Sequence, residues 1–582
     1  MSGTAQRPVL LLDADQASAL AIVRALGQQG IPVHAASDAK RPLAGLSRHA
    51  SALLRYPDPL RDEAAFVAWL IAQMRDGRFE LAIPVTERTV TPILRHRQMF
   101  DGLNIAMAPS EALERVLDKN RTLQLAQELG IAVPRSALLT SMDELAASAA
   151  GFAYPVVVKP SRSVGQDRGQ RVQLTVSYAH NASELAAQAR HALRYGQVIL
   201  QEYFRGDGVG IELIADHGSV RYMFQHRRLH EVPLTGGGSS LRISEAIVPA
   251  LRAAAEQLMQ ALAWHGVAMV EFKYQPTTGQ FRLMEINGRF WGSLPLAVAA
   301  GANFPLMLHE LMTTGQVRDH PPARIGAVCR QLARDLDWLE QVLRKDAPPA
   351  LVKLPSLREV LRDSLLVFSP RHQFDVQSLR DPWPGLVDLW RIGRKQWLRV
   401  WTVLRHRRRL TGERRAGGPN GAGQRLLQRS HRLLFLCYGN INRSALAHAY
   451  ANSRYPERFE YASAGFHAPG GRPADPMMVE IAATAGIDLS SWQSNTLTEG
   501  MVSRADVILA MEVAHLDRLL QEYPAARGRA YLLGAATASS ADIAEVSDPY
   551  GHSRSTYDRV SRQVFASVDA WCSPLVAPPQ DE

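Results

Sequence analysis

Cysteine is scarce: the 582 residues hold three, Cys329, Cys437 and Cys572. Three thiols cannot build a disulfide framework, so a reducing compartment, the cytoplasm, is the expected location. Long apolar runs are missing as well. No stretch reaches the roughly 18 uninterrupted apolar residues that a membrane-spanning helix needs. The opening MSGTAQRPVLLLDADQ carries one Arg, then a short apolar run that meets acids, which reads as a first strand and not a signal peptide. The first α/β segment has no G-x-G-x-x-G, which argues against a redox dinucleotide there. No repeat at a fixed period excludes a solenoid. Acid is almost absent from residues 391–432, where thirteen Lys or Arg stand against Glu413 alone. The whole chain carries a net charge of +10, so the parts outside that stretch are near neutral. The basic patch has no stacking sheet or groove-reading helix beside it, so a nucleic-acid partner is not expected.

What is present is an ordinary globular composition, 46% hydrophobic and 21% charged. The length predicts about three to five structural units. Residues 1–110 alternate strand and helix: VLLLDA, then ALAIVRALGQQG ending at Gly30, then IPVHAAS, FVAWLIAQMRD and ELAIPVT. That pattern predicts a small parallel-sheet α/β domain. Residues 111–345 read as α+β. A helix DKNRTLQLAQELG opens them, and YPVVVKP is expected to pair with QRVQLTV, and VILQEYF with GVGIELIAD. The helix PALRAAAEQLMQALAWHG then leads to the strands VAMVEFKYQ and QFRLMEING. Residues 346–430 break this pattern with Pro pairs, a Trp-rich helix and RHRRRLTGERRAGGPNGAGQR. The Gly, Pro and Arg of 411–425 predict a flexible linker. Residues 431–576 return to α/β, with a strand RLLFLC and a helix after NRSALAHAYANSR.

In the middle domain Lys119, Lys159 at the end of YPVVVKP, LQEYF, VEFK and MEINGRFWGS follow one another in order. This order resembles the ATP-grasp superfamily, most of all its carbamoyl-phosphate-synthase and biotin-carboxylase branch, over about residues 1–315. The first domain then corresponds to the usual pre-ATP-grasp partner. The chemistry gives each piece a reason. Lys119 and Lys159 can supply the cations that triphosphate needs. Glu271, Glu285 and Asn287 offer hard oxygen ligands for Mg²⁺ or Mn²⁺. Arg289 can stabilise a transferring phosphoryl group. By resemblance, Gln201, Glu202 and Phe204 of the QEYF segment form the adenine hinge. SRSVGQDRGQ, residues 161–170, matches the mobile phosphate-covering loop, and LTGGGSS, residues 234–240, is expected near the acceptor. The implied reaction is ATP-dependent activation of a carboxylate through an acyl phosphate, which an amine or similar nucleophile then attacks.

FLCYGNINRS, residues 435–444, ends a strand in Cys437 and places Arg443 and Ser444 at the start of a helix. Such a loop points backbone N–H groups at a dianion and favours the thiolate. Arg443 can clamp phosphate oxygens, Ser444 can bond the sulfur, and Asn440 can hold the loop. Asp548, in SDPYGHS, is the candidate proton donor to the leaving oxygen. Tyr550 is a candidate pocket wall. With SAGFHAPGGRPADP, GIDLSSWQSNTLTEG and RADVILAME, this resembles the low-molecular-weight protein-tyrosine phosphatases over 431–573. Their fold implies a Rossmann-like domain with a four-stranded parallel sheet. Where many relatives carry a second loop Cys, this chain has Asn442, so protection by that disulfide is absent. Pro469 or Ala468 is expected in place of a large pocket aromatic, as in bacterial members that act on tyrosine-kinase systems of polysaccharide export. Cys329, Cys572, His448 and His515 read as packing or surface residues.

The expectation is therefore a bifunctional enzyme, a ligase and a phosphomonoesterase, in exopolysaccharide or envelope assembly. Its substrates would be a carboxylate, an amine and a phosphotyrosine protein or a small phosphomonoester. In the connector, Leu386, Trp390, Trp397, Trp401 and Leu404 fall within about 60° of one helical face, with Lys395 and Arg399 opposite. The favoured expectation is that this face docks on the ATP-grasp domain. The alternative is a peripheral membrane contact through 384–410, in an ATP-sensing regulatory protein whose phosphatase half takes a small metabolite.

Overall fold

The computed structural model describes residues 7–160, 164–167, 170–173, 176–345, 351–352, 354–418, 421–537, 544–552 and 554–573. The chain forms two units, Met1–Gly393 and Arg394–Glu582, and their boundary falls inside one helix, Pro382–Gly417.

Unit 1 opens with a four-stranded parallel sheet in the order Ala52–Arg55, Val33–Ser37, Val9–Leu11, Leu81–Ile83. Val9–Leu11 and Leu81–Ile83 are apolar throughout and fully buried, as strands covered on both faces are. Alternate side chains serve the two faces. Val9 and Leu11 join Leu20 and Leu26 of the helix Ala17–Gly27, while Leu10 and Leu12 join Phe66 and Leu70 of the helix Glu63–Arg75.

Two larger sheets follow, and their pairing differs from the sequence expectation. Val156–Pro160 pairs antiparallel with Val198–Glu202 and Ser177–Ala179, not with QRVQLTV. Gln170–Gln173 instead forms a ribbon with Val164–Asp167. The phosphate-covering loop assigned to 161–170 lies partly outside the described residues. Asp207–Asp216 pairs with Ser219–Val232 and Gly266–Tyr274, not with VILQEYF. Apolar alternation marks a strand, but its partner depends on which face is buried against what.

The second of these sheets has seven strands: Phe281–Asn287, Gly266–Tyr274, Asp207–Asp216, Ser219–Val232, Gly238–Glu245, Val328–Arg330 and His372–Phe374. Its last strand comes from the span expected to be connector. It is held by real core chemistry. Arg242 meets Asp375 at 2.6 Å with both side chains 1% exposed. His230 sits between Asp335 at 2.8 Å and Asp363 at 3.2 Å. Asp381 accepts from Arg24 at 2.9 Å and Ser47 at 2.7 Å. The first part of the connector thus belongs to the fold of unit 1.

Unit 2 has the expected four-stranded parallel sheet, ordered Glu460–Gly465, Arg432–Cys437, Val507–Ala510, Ala530–Leu532. The segment expected to be a flexible linker is largely helical: Pro382–Gly417 ends there, and Ala422–Leu427 follows. Its glycines serve close packing. A Cβ at Gly423 would stand 2.7 Å from the ring of Trp571, and one at Gly417 3.1 Å from it. Leu410 and Leu427 are buried in the core of unit 2, and His406 meets Glu545 at 3.1 Å.

The tryptophan face of the long helix is largely exposed. Trp390 is 63% exposed, Trp397 61% and Trp401 46%, with Leu386 and Leu404 also in solvent. No helix among the described residues is long and apolar enough to cross a membrane.

Candidate active sites

In unit 1 a cleft of about 600 Å³ gathers every residue singled out for nucleotide and metal: Lys119, Lys159, Gln201, Glu202, Phe204, Arg289, Glu271, Glu285 and Asn287. The strands explain this convergence. Glu271 on Gly266–Tyr274 lies directly opposite Glu285 on Phe281–Asn287. Asn287, two residues beyond Glu285, shares its face and donates from Nδ2 to Glu271 at 3.0 Å. Lys119 opens the helix Lys119–Glu128, and its Nζ stands 3.7 Å from Glu285. Lys159 lies opposite Ile199 in the register and donates to Gln201 Oε1 at 2.6 Å. Gln201 is itself buried and donates to Ser136, so its side chain serves the lysine. Phe204 lies under the Arg282 guanidinium at 4.7 Å.

The electrostatics follow from burial and crowding. Desolvation first, and then the neighbouring Lys119, bring the Lys159 ammonium down to about 8. Burial alone would raise Glu285, but Lys119, Lys159 and Arg228 outweigh it and hold the carboxyl below its ordinary value. Three hard oxygens beside two lysines suit a divalent cation and a polyphosphate. The Nε atoms of Arg228 and Arg289 are buried and make no hydrogen bond, which also fits an anionic ligand. The residues present therefore fit Mg²⁺ or Mn²⁺ with ATP.

Several lining residues escaped the sequence reading. Arg228 forms an ion pair with Glu271, and its other nitrogen reaches Glu231 at 3.3 Å. Lys273 meets Glu231 at 3.1 Å. The basic run HRRLH held the signal for Arg228, but its strand was not recognised. Arg334 also lines the cleft beside the glycine loop. A Cβ at Gly238 would collide with its guanidinium, and Gly236 has φ +119°. Arg289 meets Glu87 at 3.2 Å.

In unit 2 a pocket of about 290 Å³ is lined by Cys437, Asn440, Arg443, Asp548 and Tyr550 among others. The strand Arg432–Cys437 delivers the thiol, and the helix Arg443–Arg454 begins at the arginine. The Asn440 backbone N–H donates to Sγ at 3.1 Å, and Ser444 Oγ lies 2.9 Å from Sγ. Asn440 has φ +52°, a left-handed turn inside the loop. Its side chain pins that turn by donating to Ser444 at 2.9 Å and Ser463 at 3.0 Å. Arg443 donates to Glu512 and to the Val546 carbonyl, both at 2.8 Å, and meets Asp548 at 3.0 Å. Glu512 was not singled out from sequence; its place in RADVILAME carried no chemical spacing to the loop.

One expectation is corrected here. Pro469 and Ala468 do not line the pocket; His467 and Arg472 do, with Tyr438 edge-on to His467 at 6.1 Å between centroids. Arg472 donates to the Gly439 carbonyl at 2.7 Å, so it braces the loop from outside. Cys329 and Cys572 are buried and line neither pocket, and burial pushes both thiols up, Cys572 to about 12. His515 is buried, which drives its imidazole down to about 3.

Comparison with known proteins agrees with this chemistry. Residues 432–578 match the family model "Low molecular weight phosphotyrosine protein phosphatase". Residues 194–334 match "ATP-grasp in the biosynthetic pathway with Ter operon". The probable low molecular weight protein-tyrosine-phosphatase EpsP of Ralstonia nicotianae is 35% identical over 139 residues, 24% of this chain and 92% of that protein. The low molecular weight protein-tyrosine-phosphatase Wzb of Escherichia coli K12 is 32% identical over 145 residues, 25% of this chain and 95% of that protein. Among solved structures, an L-amino acid ligase from Bacillus licheniformis is similar over 54% of this chain and 78% of its own, with 17% identity and a TM-score of 0.42. The chain thus carries an ATP-grasp module ahead of a phosphatase unit, and through that C-terminal unit it belongs to the low-molecular-weight protein-tyrosine phosphatase family.

Proposed function

We propose that the chain is a bifunctional enzyme: a phosphomonoesterase acting through a phosphocysteine, and an ATP-dependent carboxylate–amine ligase. The observation that carries the first activity is one pocket that joins Cys437, the Arg443 clamp and Asp548. The Cys437 thiolate attacks phosphorus while Arg443 and the loop N–H groups hold the phosphoryl oxygens. Asp548 gives its proton to the departing ester oxygen. Ser444, 2.9 Å from the sulfur, stabilises the thiolate as it leaves in the second step. There Asp548 takes a proton from water, which attacks phosphorus and releases phosphate. The substrate is phosphotyrosine on a protein partner, in exopolysaccharide or envelope assembly. Turnover of phosphotyrosine peptides alongside sugar and amino-acid phosphates tests this; faster hydrolysis of a small phosphate would reassign the substrate.

The ligase reading rests on the convergence of two lysines, two carboxylates and Asn287 in the unit 1 cleft. Lys119 and Lys159 would hold the triphosphate, Gln201, Glu202 and Phe204 the adenine, and Glu271, Glu285 and Asn287 the Mg²⁺. Bound Mg²⁺ would neutralise phosphate charge. Arg289 would stabilise phosphoryl transfer to a carboxylate, and the loop 234–240 with Arg334 would face the acceptor. The test is ADP release by Cys437→Ser protein supplied with Mg²⁺, ATP and pooled carboxylates and amines, with Lys159→Ala as control. Pool-dependent ADP that disappears in Lys159→Ala supports the ligase. ATP binding without turnover in any pool overturns it in favour of a nucleotide sensor.

A second reading concerns location, and the exposed tryptophan face favours it. Trp397 and Trp401 stack at 6.1 Å between centroids, and Arg405 covers Trp401 at 5.3 Å. Apolar rings flanked by arginines suit the headgroup layer of an anionic membrane. A cytoplasmic protein held at the inner membrane surface would result. Co-sedimentation with phosphatidylglycerol vesicles, and not with phosphatidylcholine vesicles, is expected. Equal binding by the Trp397→Ala/Trp401→Ala double variant would sink the idea.

A further inference from the structure

Two turns of the seven-stranded sheet bring together three side chains that neither active site uses. The hairpin between Asp207–Asp216 and Ser219–Val232 turns on His217 and Gly218, with φ of +46° and +89°. The second turn, Ala263 to His265, leads from the helix Pro249–Ala261 into the strand Gly266–Tyr274. The Gly218 N–H donates to the Trp264 carbonyl at 2.7 Å, which locks one turn against the other. Across that lock, Asp216 Oδ1 lies 2.8 Å from His217 Nδ1 and 3.3 Å from His265 Nδ1. The two imidazole centroids are 4.4 Å apart.

We propose that Asp216, His217 and His265 form a binding site for a first-row divalent metal of the zinc type, with water completing the coordination.

Five features carry it. Ligands of a tetrahedral ion with bonds near 2.0–2.1 Å stand about 3.3 Å apart, close to the spacings of Asp216 Oδ1 from the two ring nitrogens. The three donor atoms all lie within 4.8 Å of one another. Arg221 binds the other carboxylate oxygen at 2.9 Å, which orients Oδ1 toward the imidazoles as an outer-shell partner does. His265 Nδ1 is buried, forms no well-aligned hydrogen bond and faces Asp216 Oδ1 across the cluster. The left-handed backbone at His217 is uncommon for a residue with a side chain, and here it turns the ring toward Asp216.

Two imidazoles and one carboxylate select a borderline cation such as Zn²⁺, Ni²⁺ or Cu²⁺ over Mg²⁺. The site is therefore chemically distinct from the oxygen-only set at Glu271, Glu285 and Asn287. It also lies about 20 Å along the strand from Glu271, at roughly 3.3 Å per residue over six residues. A metal there would clip the hairpin to the strand that carries Glu271 and stiffen that end of the sheet.

The test uses the full chain with Cys437→Ser, dialysed against chelator, then titrated with Zn²⁺ by calorimetry and with Co²⁺ by visible absorption. One site is expected to lose at least about tenfold in affinity in His217→Ala and again in His265→Ala. Zn²⁺ should raise the unfolding temperature of the parent protein but not of either variant, and Mg²⁺ should not replace it. His217 is 77% exposed, so its variant should keep the metal-free unfolding temperature. It decides the matter even where His265→Ala fails to fold. Unchanged Zn²⁺ stoichiometry and affinity in His217→Ala overturns the site.

Discussion

Lys159 is the residue whose chemistry is most altered by its surroundings. Its ammonium loses water by burial and faces Lys119, and it titrates near 8. The lowered value means that the folded protein holds fewer protons than the unfolded chain between about pH 8 and 10.5, so this group favours folding increasingly as pH rises through that window. Binding runs the other way, because phosphate needs the charged form. ATP affinity, measured by calorimetry, is expected to weaken roughly tenfold between pH 7 and 9. Lys159→Arg should flatten that dependence, since a guanidinium stays charged. In the other unit, Asp548 is half in solvent and within 3.0 Å of Arg443, poised at the rim and not in the core. Asp548→Asn should lower hydrolysis of aryl phosphates by roughly 10²–10⁴-fold while thermal stability stays unchanged. Cys437→Ser should abolish turnover yet still bind inorganic phosphate, because the loop N–H groups remain. Cys437, Arg443 and Asp548 were legible from sequence because their spacing is local chemistry around one strand, plus one D-P-Y-G segment. Glu512, Arg472 and Arg228 were not. Each acts through a partner far away in the chain, and an isolated charge carries no sign of its partner.

At the scale of elements, the short helix Ala422–Leu427 shows how composition can mislead. Gly and Arg around residues 411–425 read as a loop, whereas the glycines let two helix segments approach the indole of Trp571. Trp571 is 1% exposed and donates from Nε1 to the Leu533 carbonyl at 2.7 Å, so the ring cannot yield freely. Gly423→Ala should therefore destabilise unit 2 by about 1–3 kcal/mol, read from chemical denaturation, although alanine favours helix in isolation. Strand pairing was misread for a related reason. YPVVVKP and VILQEYF are apolar enough to be strands at sight, and the sheet pairs them with each other. The strand Ser219–Val232 was missed because QHRRLHE is polar: Arg228 and Glu231 line the cleft, while His230 is buried between Asp335 and Asp363.

At the scale of the whole molecule, the two units divide inside a helix and not at a linker. Residues 394–427 contribute Leu410, Gly417 and Leu427 to the packing of unit 2. A fragment that starts at residue 431 should be less stable than one that starts at 394, by several degrees in Tm, while the Cys437 loop keeps its chemistry in both. Equal Tm values would show that this helix segment adds nothing to the phosphatase fold.

The amino-acid sequence alone determined the fold classes, the order of the modules and the candidate residues within one loop or one strand that each pocket gathers. Those properties follow from periodicity and from donor types at short spacing, which the chain states locally. Only the tertiary structure decided which strands pair and that His372–Phe374 completes the seven-stranded sheet. It also decided that Arg228 lies against Glu271 and that Asp216, His217 and His265 meet. Such contacts join distant segments, and burial of an apolar face is non-directional: the hydrophobic effect requires that a face be covered without naming what covers it.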